Sequence, residues 1–345
     1  MPDNVSLIAP RPTPSASRWR FSLKSKQTRA IIYQALALVV VVLCAWLLIS
    51  NTLANMRTRG IQTGFDFLSQ PAGFDIGEGW LSYDSANPYW KAFLVGIVNT
   101  LRVAIPGCIL ATLLGTLLGV ARFSGNAMLR GISRTYVEIF RNIPLLLQLL
   151  MWYLLFIEYL PLPGEALSIG KLLFISKNGL SFPSLTWDQG ALRFVVPVPE
   201  EYQLEGGITL SPEYLAVLLG LVLYTAAFIA EVVRAGIASV PKGQAEAGAS
   251  IGLPRALAMR LIVLPQAWRL VIPPLTNQFL NLTKNSSLAV AVGYPELVSI
   301  ANTSLNQSGR AVECIVIIMI MYLTLSLLTS AFMGWFNRHA AIRER

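Results

Sequence analysis

Six segments of about 19 to 29 residues in this chain are predominantly apolar, although Asn277, Asn281, Lys284 and Asn285 interrupt the fifth. At a rise of about 1.5 Å per residue, a helix of about 20 apolar residues crosses the roughly 30 Å hydrocarbon core of a bilayer. The sequence therefore predicts six transmembrane helices in an all-α polytopic membrane protein. They cover residues 31–49, 93–121, 136–160, 214–238, 265–285 and 312–336.

The composition excludes several functional classes. Hydrophobic residues make up 54% of the chain and charged residues only 13%, against about 25% charged residues in soluble domains. The net charge of +9 does not indicate nucleic-acid binding, because the basic residues flank apolar segments instead of forming a basic face. The chain has one histidine, His339, and its three cysteines lie in apolar segments without metal-ligand spacing. We expect no metal, no cofactor and no catalytic residue.

Basic residues in the loops predict the orientation. Residues 1–30, 122–135, 239–264 and 337–345 would share one side of the membrane and carry 15 Lys and Arg residues, against 7 on the other side. Because cytoplasmic loops are enriched in Lys and Arg, both termini are predicted to be cytoplasmic. The Pro-, Ser- and Arg-rich residues 1–30 are then a disordered cytoplasmic tail, and residues 337–345 are a second tail. Residues 50–91 and 161–213 are outward-facing loops.

Small residues repeat every four positions in the second predicted span, at Gly107, Ala111, Gly115 and Gly119. Small residues at this spacing allow another helix to approach closely. We expect the stripe to pack against a helix of the same chain, and the alternative is a seam between two subunits.

The loop 241–265 is predicted to form two short helices joined by a tight turn. Pro241 and Pro254 suit the first turns of the helices, and Gly252 suits a left-handed residue between them. The first helix would present a face of small residues that another surface can approach closely, either the chain's own spans or a partner protein. These residues are Ala245, Gly248, Ala249 and Gly252.

The same loop resembles the EAA loop of ABC importer permeases. That pattern is E-A-A, three residues, G, nine residues, I, one residue and L-P, and Gly248 replaces its second alanine. The resemblance implies that the loop docks into a cleft of a cytoplasmic ABC ATPase dimer and transmits its motion. The coupling residues would be Glu246, Ala247, Gly248, Gly252, Ile262 and Pro265.

Two further segments narrow the resemblance to polar amino-acid permeases. Residues 138–148 resemble their E-x-F-R-x-x-P-L-L-x-Q signature, and residues 224–244 resemble the segment that leads into their EAA loop. The extra first span and the long outer loops resemble the general L-amino-acid permeases of Gram-negative bacteria. The signature residues are Glu138, Arg141, Pro144, Gln148, Glu231 and Arg234. Orientation and packing explain them at least as well as transport does, and Glu231 and Arg234 are spaced to pair on one helix face.

Lys284 is a candidate substrate contact. Ionisable residues in membrane spans usually face a cavity or a partner, and a cation with amide groups nearby would bind an amino-acid carboxylate. Structural pairing is the alternative. The candidate path residues are Asn277, Asn281, Lys284, Asn285 and Ser286.

The resemblance implies a type-1 ABC importer permease core of five helices, in a domain at 92–336, plus an accessory helix at 31–49. Such a subunit is not an enzyme, and it lies in the bacterial inner membrane. Its partners would be the ATPase dimer, a second permease subunit, a periplasmic amino-acid-binding protein, a polar L-amino acid and the lipid bilayer. No nucleic acid is involved. The alternative is an ion-coupled secondary amino-acid transporter, which would predict broken helices in repeated halves.

Overall fold

The structure is a computed structural model that describes residues 26–60, 63–170, 172–188, 191–200 and 204–340. The chain divides into two compact units, residues 1–62 and 63–345. The α-helices of the described residues are α1 Lys26–Thr58, α2 Tyr89–Ala121, α3 Ala127–Asn142, α4 Leu145–Tyr159, α5 Pro212–Ala238, α6 Lys242–Ser250, α7 Arg255–Ala258, α8 Leu264–Asn285, α9 Leu297–Ser308 and α10 Ala311–Ala340.

The first unit contains α1, a single helix of 33 residues. It is longer at both ends than the predicted span 31–49, and none of its most apolar 18-residue window is buried. A helix that is apolar on all sides suits a membrane span. Residues 26–30 belong to this helix, so the predicted boundary of the disordered tail at residue 30 is wrong. The rest of that tail lies outside the described residues.

The six predicted spans correspond to five single helical segments and one bent pair. Five segments are long and apolar enough to cross a membrane, and α3 with α4 passes the same test only as a pair bent by 103°. The prediction of one continuous helix at 136–160 is therefore wrong. Ile143 is extended, with φ −92° and ψ 127°, because a residue before proline avoids the helical region and Pro144 cannot donate a helix hydrogen bond.

The small-residue stripe of α2 packs against α5 for much of its length. A Cβ atom at Gly115 would lie 2.7 Å from the Cβ of Ile229, and one at Gly119 would lie 2.7 Å from the Cβ of Val233. Carbon atoms pack at about 3.5–4.0 Å, so only glycine permits this approach. The prediction that the stripe packs within the chain is confirmed.

The segment 161–213 contains short β-strands, which the all-α prediction did not include. Strands β1 Leu167–Ile169, β2 Leu173–Ser176, β3 Gly179–Phe182 and β8 Ile208–Leu210 form an antiparallel sheet in the order β1-β2-β3-β8. Two separate pairs join β4 Ser184–Asp188 to β5 Ala191–Val195, and β6 Val198–Pro199 to β7 Leu204–Glu205. Buried and less buried residues alternate in β2 and β3, and the two-residue turn Lys177-Asn178 joins these strands, with Ser176 paired to Gly179.

The chain is helical without a break from α7 to the end of α8. A π-helix, Met259–Val263, joins α7 to α8, and a 3₁₀-helix, Ser286–Val292, follows α8. The predicted span 265–285 therefore coincides with α8. Gly293 then takes a left-handed conformation, with φ 83°, and the chain turns toward α9 and α10.

Candidate functional site

The predicted hairpin is formed by α6, α7 and the π-helix. Gly252 has φ 81°, and its N–H donates to the carbonyl of Ala249 at 2.9 Å, while the N–H of Leu253 donates to the carbonyl of Gly248 at 3.1 Å. These bonds satisfy carbonyl groups at the end of α6. The predicted left-handed residue is confirmed. Pro241 and Pro254 lie immediately before α6 and α7, not in their first turns.

Gly248 faces the inside of the hairpin. It is buried, and a Cβ atom there would lie 2.8 Å from Cδ1 of Ile262 and 3.4 Å from Cβ of Ala258. Two positions of the EAA pattern, Gly248 and Ile262, thus contact each other. The sequence left open whether the small-residue face is approached by the chain itself or by a partner protein. At Gly248 the chain itself makes the approach, because the tight turn folds α6 back onto the π-helix.

The outer side of α6 is open. Its exposed residues include Glu246 and Ala247; Gly252 is exposed in the turn that follows, and Pro265 is exposed at the start of α8. Ile251, at the end of α6, leaves 76% of its surface exposed. The hairpin therefore has a packed inner side and a free outer side that includes the E-A pair of the motif.

A polar stripe lies on one side of α8. Asn277, Asn281 and Lys284 are exposed and spaced four and three residues apart, which places them on one helix face. Asn285 is half-buried. Ser286 is buried and donates its hydroxyl to the carbonyl of Thr283 at 2.7 Å, so it does not share the exposed stripe.

Gln148 and Pro144 of the signature hold the bend between α3 and α4. The Gln148 side chain is buried, and its Nε2 donates to the carbonyls of Phe140 at 3.0 Å and Ile143 at 2.9 Å. A helix end leaves its last carbonyls without intrahelical partners. The Gln148 amide donates to two of these carbonyls at the end of α3. Pro144 and Gln148 of the signature thus end α3 and satisfy the carbonyl groups that the break between α3 and α4 exposes.

Two other signature residues lie on α3. The guanidinium of Arg141 stacks 5.1 Å from the ring centroid of Phe228 on α5, a cation–π contact. The exposed Glu138 carboxylate accepts from Nε of Arg134 at 2.8 Å. The first contact joins α3 to α5, whereas the second is an exposed pair within α3 itself.

The predicted pair on α5 is confirmed. Nε of Arg234 donates to Oε1 of Glu231 at 2.8 Å, and Nη1 of Arg122, after the end of α2, lies 3.7 Å from the other carboxylate oxygen. One carboxylate therefore joins the ends of two packed helices.

A buried polar cluster was missed from the sequence. Nη1 of Arg102 on α2 donates to Oε1 of Glu78 at 2.7 Å, and the guanidinium lies 4.7 Å from the ring centroid of Tyr214 on α5. Ser211, which caps α5, donates to the other Glu78 oxygen at 2.5 Å. A lone arginine in an apolar span was the available signal. Its partner lies 24 residues away, in a loop without periodicity.

Residues 111–342 match the family described as "Binding-protein-dependent transport system inner membrane component". The chain belongs to this family. Among similar relatives are the general L-amino acid transport system permease protein AapQ of Rhizobium johnstonii and the putative amino-acid ABC transporter permease protein YhdX of Escherichia coli. Both are 39% identical to this chain; the first match covers 95% of this chain and 96% of the relative, and the second covers 96% and 99%.

Solved structures show the same permease fold. An amino acid ABC transporter crystallised with histidines is similar with a TM-score of 0.54 at 24% identity, covering 73% of this chain and 95% of the other. An inward-facing MetNI methionine ABC transporter is similar with a TM-score of 0.53 at 18% identity, covering 73% and 97%. The predicted type-1 permease core is confirmed.

As a member of this permease family, the chain is a multi-pass transporter subunit of the bacterial inner membrane, not an enzyme. It works with a separate ATPase and a binding protein. The family assignment favours the ATP-driven importer over the ion-coupled alternative. Among the described residues, no group of three or more His, Cys, Asp or Glu side chains is placed to hold a metal ion.

Proposed function

We propose that this permease forms one half of an alternating-access path for polar L-amino acids. The observation that carries the proposal is the exposed stripe of Asn277, Asn281 and Lys284 on a helix that crosses the membrane. The relatives AapQ and YhdX, which bear amino-acid permease names, support the substrate class.

The polar stripe also supports a second permease subunit, identical or similar. Polar and ionisable side chains in a membrane span usually face a partner or a water-filled cavity, so the stripe needs water or another protein beside it. Two copies of such a stripe, facing each other, would line a polar path in which Lys284 meets the substrate carboxylate.

The hairpin is proposed to transmit the motion of the ATPase to this path. Its outer side, with Glu246, Ala247 and Gly252, is free for the partner. Its inner side joins α6 to the π-helix through the contact of Gly248 with Ile262, and the π-helix continues directly into α8. A displacement of α6 would thus move the helix that carries Lys284.

Lys284→Ala tests the path. Uptake of a polar amino acid by the assembled complex in proteoliposomes should fall, because the substrate loses its cation, while ATP hydrolysis still responds to the binding protein. Thr283→Ala is the matched control, since the Thr283 hydroxyl only donates to the carbonyl of Phe279 in its own helix. Uptake by Lys284→Ala equal to wild type would refute the role of the stripe.

We also propose that both termini and the hairpin are cytoplasmic and that segment 161–213 is periplasmic. Single cysteines at Ile169 and Arg255, both exposed, would report this in a background that lacks Cys44, Cys108 and Cys314. In intact spheroplasts, a membrane-impermeant thiol reagent should label Ile169→Cys and leave Arg255→Cys unlabelled until the membrane is opened. The reverse pattern would contradict the orientation.

A further inference from the structure

A groove of about 650 Å³ lies between the end of α2, the start of α3 and the hairpin. This volume is within the roughly 300–1,000 Å³ typical of ligand sites. Its walls are largely apolar and include Leu117, Val120, Leu129 and Leu264, while Arg255 and Arg260 stand on one side. The groove thus combines an apolar floor with two cations.

Neither arginine has a partner in the part of the chain that the structure describes. Arg255 and Arg260 are both exposed, and no ion pair or hydrogen bond satisfies either guanidinium there. A guanidinium presents donors in a planar fork that matches the oxygens of a phosphate. Two such groups beside one groove favour an anion with several oxygens.

The groove lies at the end of an exposed apolar row on α2. Leu117 lies half a turn around α2 from Gly115 and Gly119, which contact α5. The same outer side of α2 exposes Ile105, Ile109 and Leu113. An apolar row on the outside of a membrane span contacts acyl chains, and this row ends in the groove.

The helix α3 indicates the depth of the groove. It exposes Met128, Ile132 and Ile139 on one side and Arg134 on another. An amphipathic helix of this kind lies in the boundary between headgroups and acyl chains. Leu129 on the same helix lines the groove, so the two arginines lie near the level of the lipid phosphates.

We propose that the groove binds one anionic phospholipid of the cytoplasmic leaflet. Arg255 and Arg260 hold its phosphate, and an acyl chain lies against Leu117, Val120 and Leu129. A free phosphate would leave this apolar wall uncovered, which favours the lipid. The bound lipid joins the membrane-facing side of the hairpin to the end of α2 and leaves the outer side of α6 free. This site does not depend on the proposed transport role.

Native mass spectrometry of the purified transporter complex tests the proposal, with phosphatidylglycerol and phosphatidylcholine of identical acyl chains as probes. Wild type should retain phosphatidylglycerol selectively. The double variant Arg255→Gln/Arg260→Gln should lose roughly thirtyfold of that preference, from the usual contribution of two basic residues near an anionic leaflet. Arg338→Gln, an exposed arginine at the end of α10, is the control and should keep it.

A second variant avoids the hairpin altogether. Leu129→Glu places a carboxylate in the groove and should also abolish the preference by repulsion, while Met128→Glu, on the neighbouring residue outside the groove, should retain it. Unchanged selectivity in both groove variants would overturn the proposal. Equal retention of the two lipids by wild type, or displacement of phosphatidylglycerol by inorganic phosphate alone, would overturn it as well.

Discussion

Gly115→Ala adds one methyl group at the closest contact between α2 and α5. The new Cβ would lie 2.7 Å from the Cβ of Ile229 and 2.8 Å from the carbonyl oxygen of Ala226. Carbon atoms pack at about 3.5–4.0 Å, so the two helices would have to separate by roughly 0.8 Å. One of the two atoms is backbone, so no change of rotamer relieves the clash.

The expected cost is about 1–3 kcal/mol, the usual range for overpacking a well-packed core. The gain in helix propensity from Gly to Ala, about 1 kcal/mol, offsets part of it. Gly119→Ala should behave in the same way, since its Cβ would meet Val233 at 2.7 Å. Because both sites belong to one contact, the double variant should cost less than the sum of the single variants.

The thermal unfolding midpoint of the purified permease measures this effect. Gly115→Ala should lower the midpoint. Gly334→Ala on α10 is the matched control, since a Cβ there meets nothing within 4 Å, and its midpoint should stay equal or rise. A Gly115→Ala protein as stable as the Gly334→Ala control would refute the assignment of this stripe to close packing within the chain.

Two further predictions concern the hairpin and α9. Gly252→Asn should preserve ATPase co-purification better than Gly252→Val, because asparagine tolerates the left-handed conformation while a β-branched residue is strained there. Burial raises the pKa of the Glu296 carboxyl at the start of α9 from 4.5 to about 7, although two backbone N–H groups and Tyr322 donate to it. The folded state therefore favours the protonated form, and its stability should fall by up to about 3 kcal/mol as the pH rises from 4.5 through 7.

Each of these predictions has a clear contrary result. Equal loss of the ATPase in Gly252→Asn and Gly252→Val would mean that any side chain at this position blocks docking, so the turn conformation would not be the cause. For Glu296, unfolding midpoints of wild type and Glu296→Gln should differ in their pH dependence, with a flatter curve for the variant. Identical curves would contradict the role of Glu296.

Much of the candidate site follows from local pattern. Asn277, Asn281 and Lys284 lie on one face of α8 because residues three and four apart in a helix point the same way. Ser286 has the same polarity but falls at the junction of α8 with the 3₁₀-helix, where the period changes. The same reasoning left open which surface approaches Gly248, and only the folding of α6 onto Ile262 places this glycine inside the hairpin.

The amino-acid sequence predicted every membrane-crossing segment except the shape of the third, the left-handed turn at Gly252, and a stripe of small residues at Gly115 and Gly119 that permits close packing. These features depend on residues that are close in the sequence: the length of an apolar run, the backbone conformation that a residue allows, and the spacing of small residues. They can therefore be predicted without knowledge of the tertiary structure. Tertiary structure alone decided that the third span bends by 103°, with Gln148 closing the break, and that Arg102 meets Glu78. Buried polar groups must find partners, and where those partners lie depends on how distant segments pack.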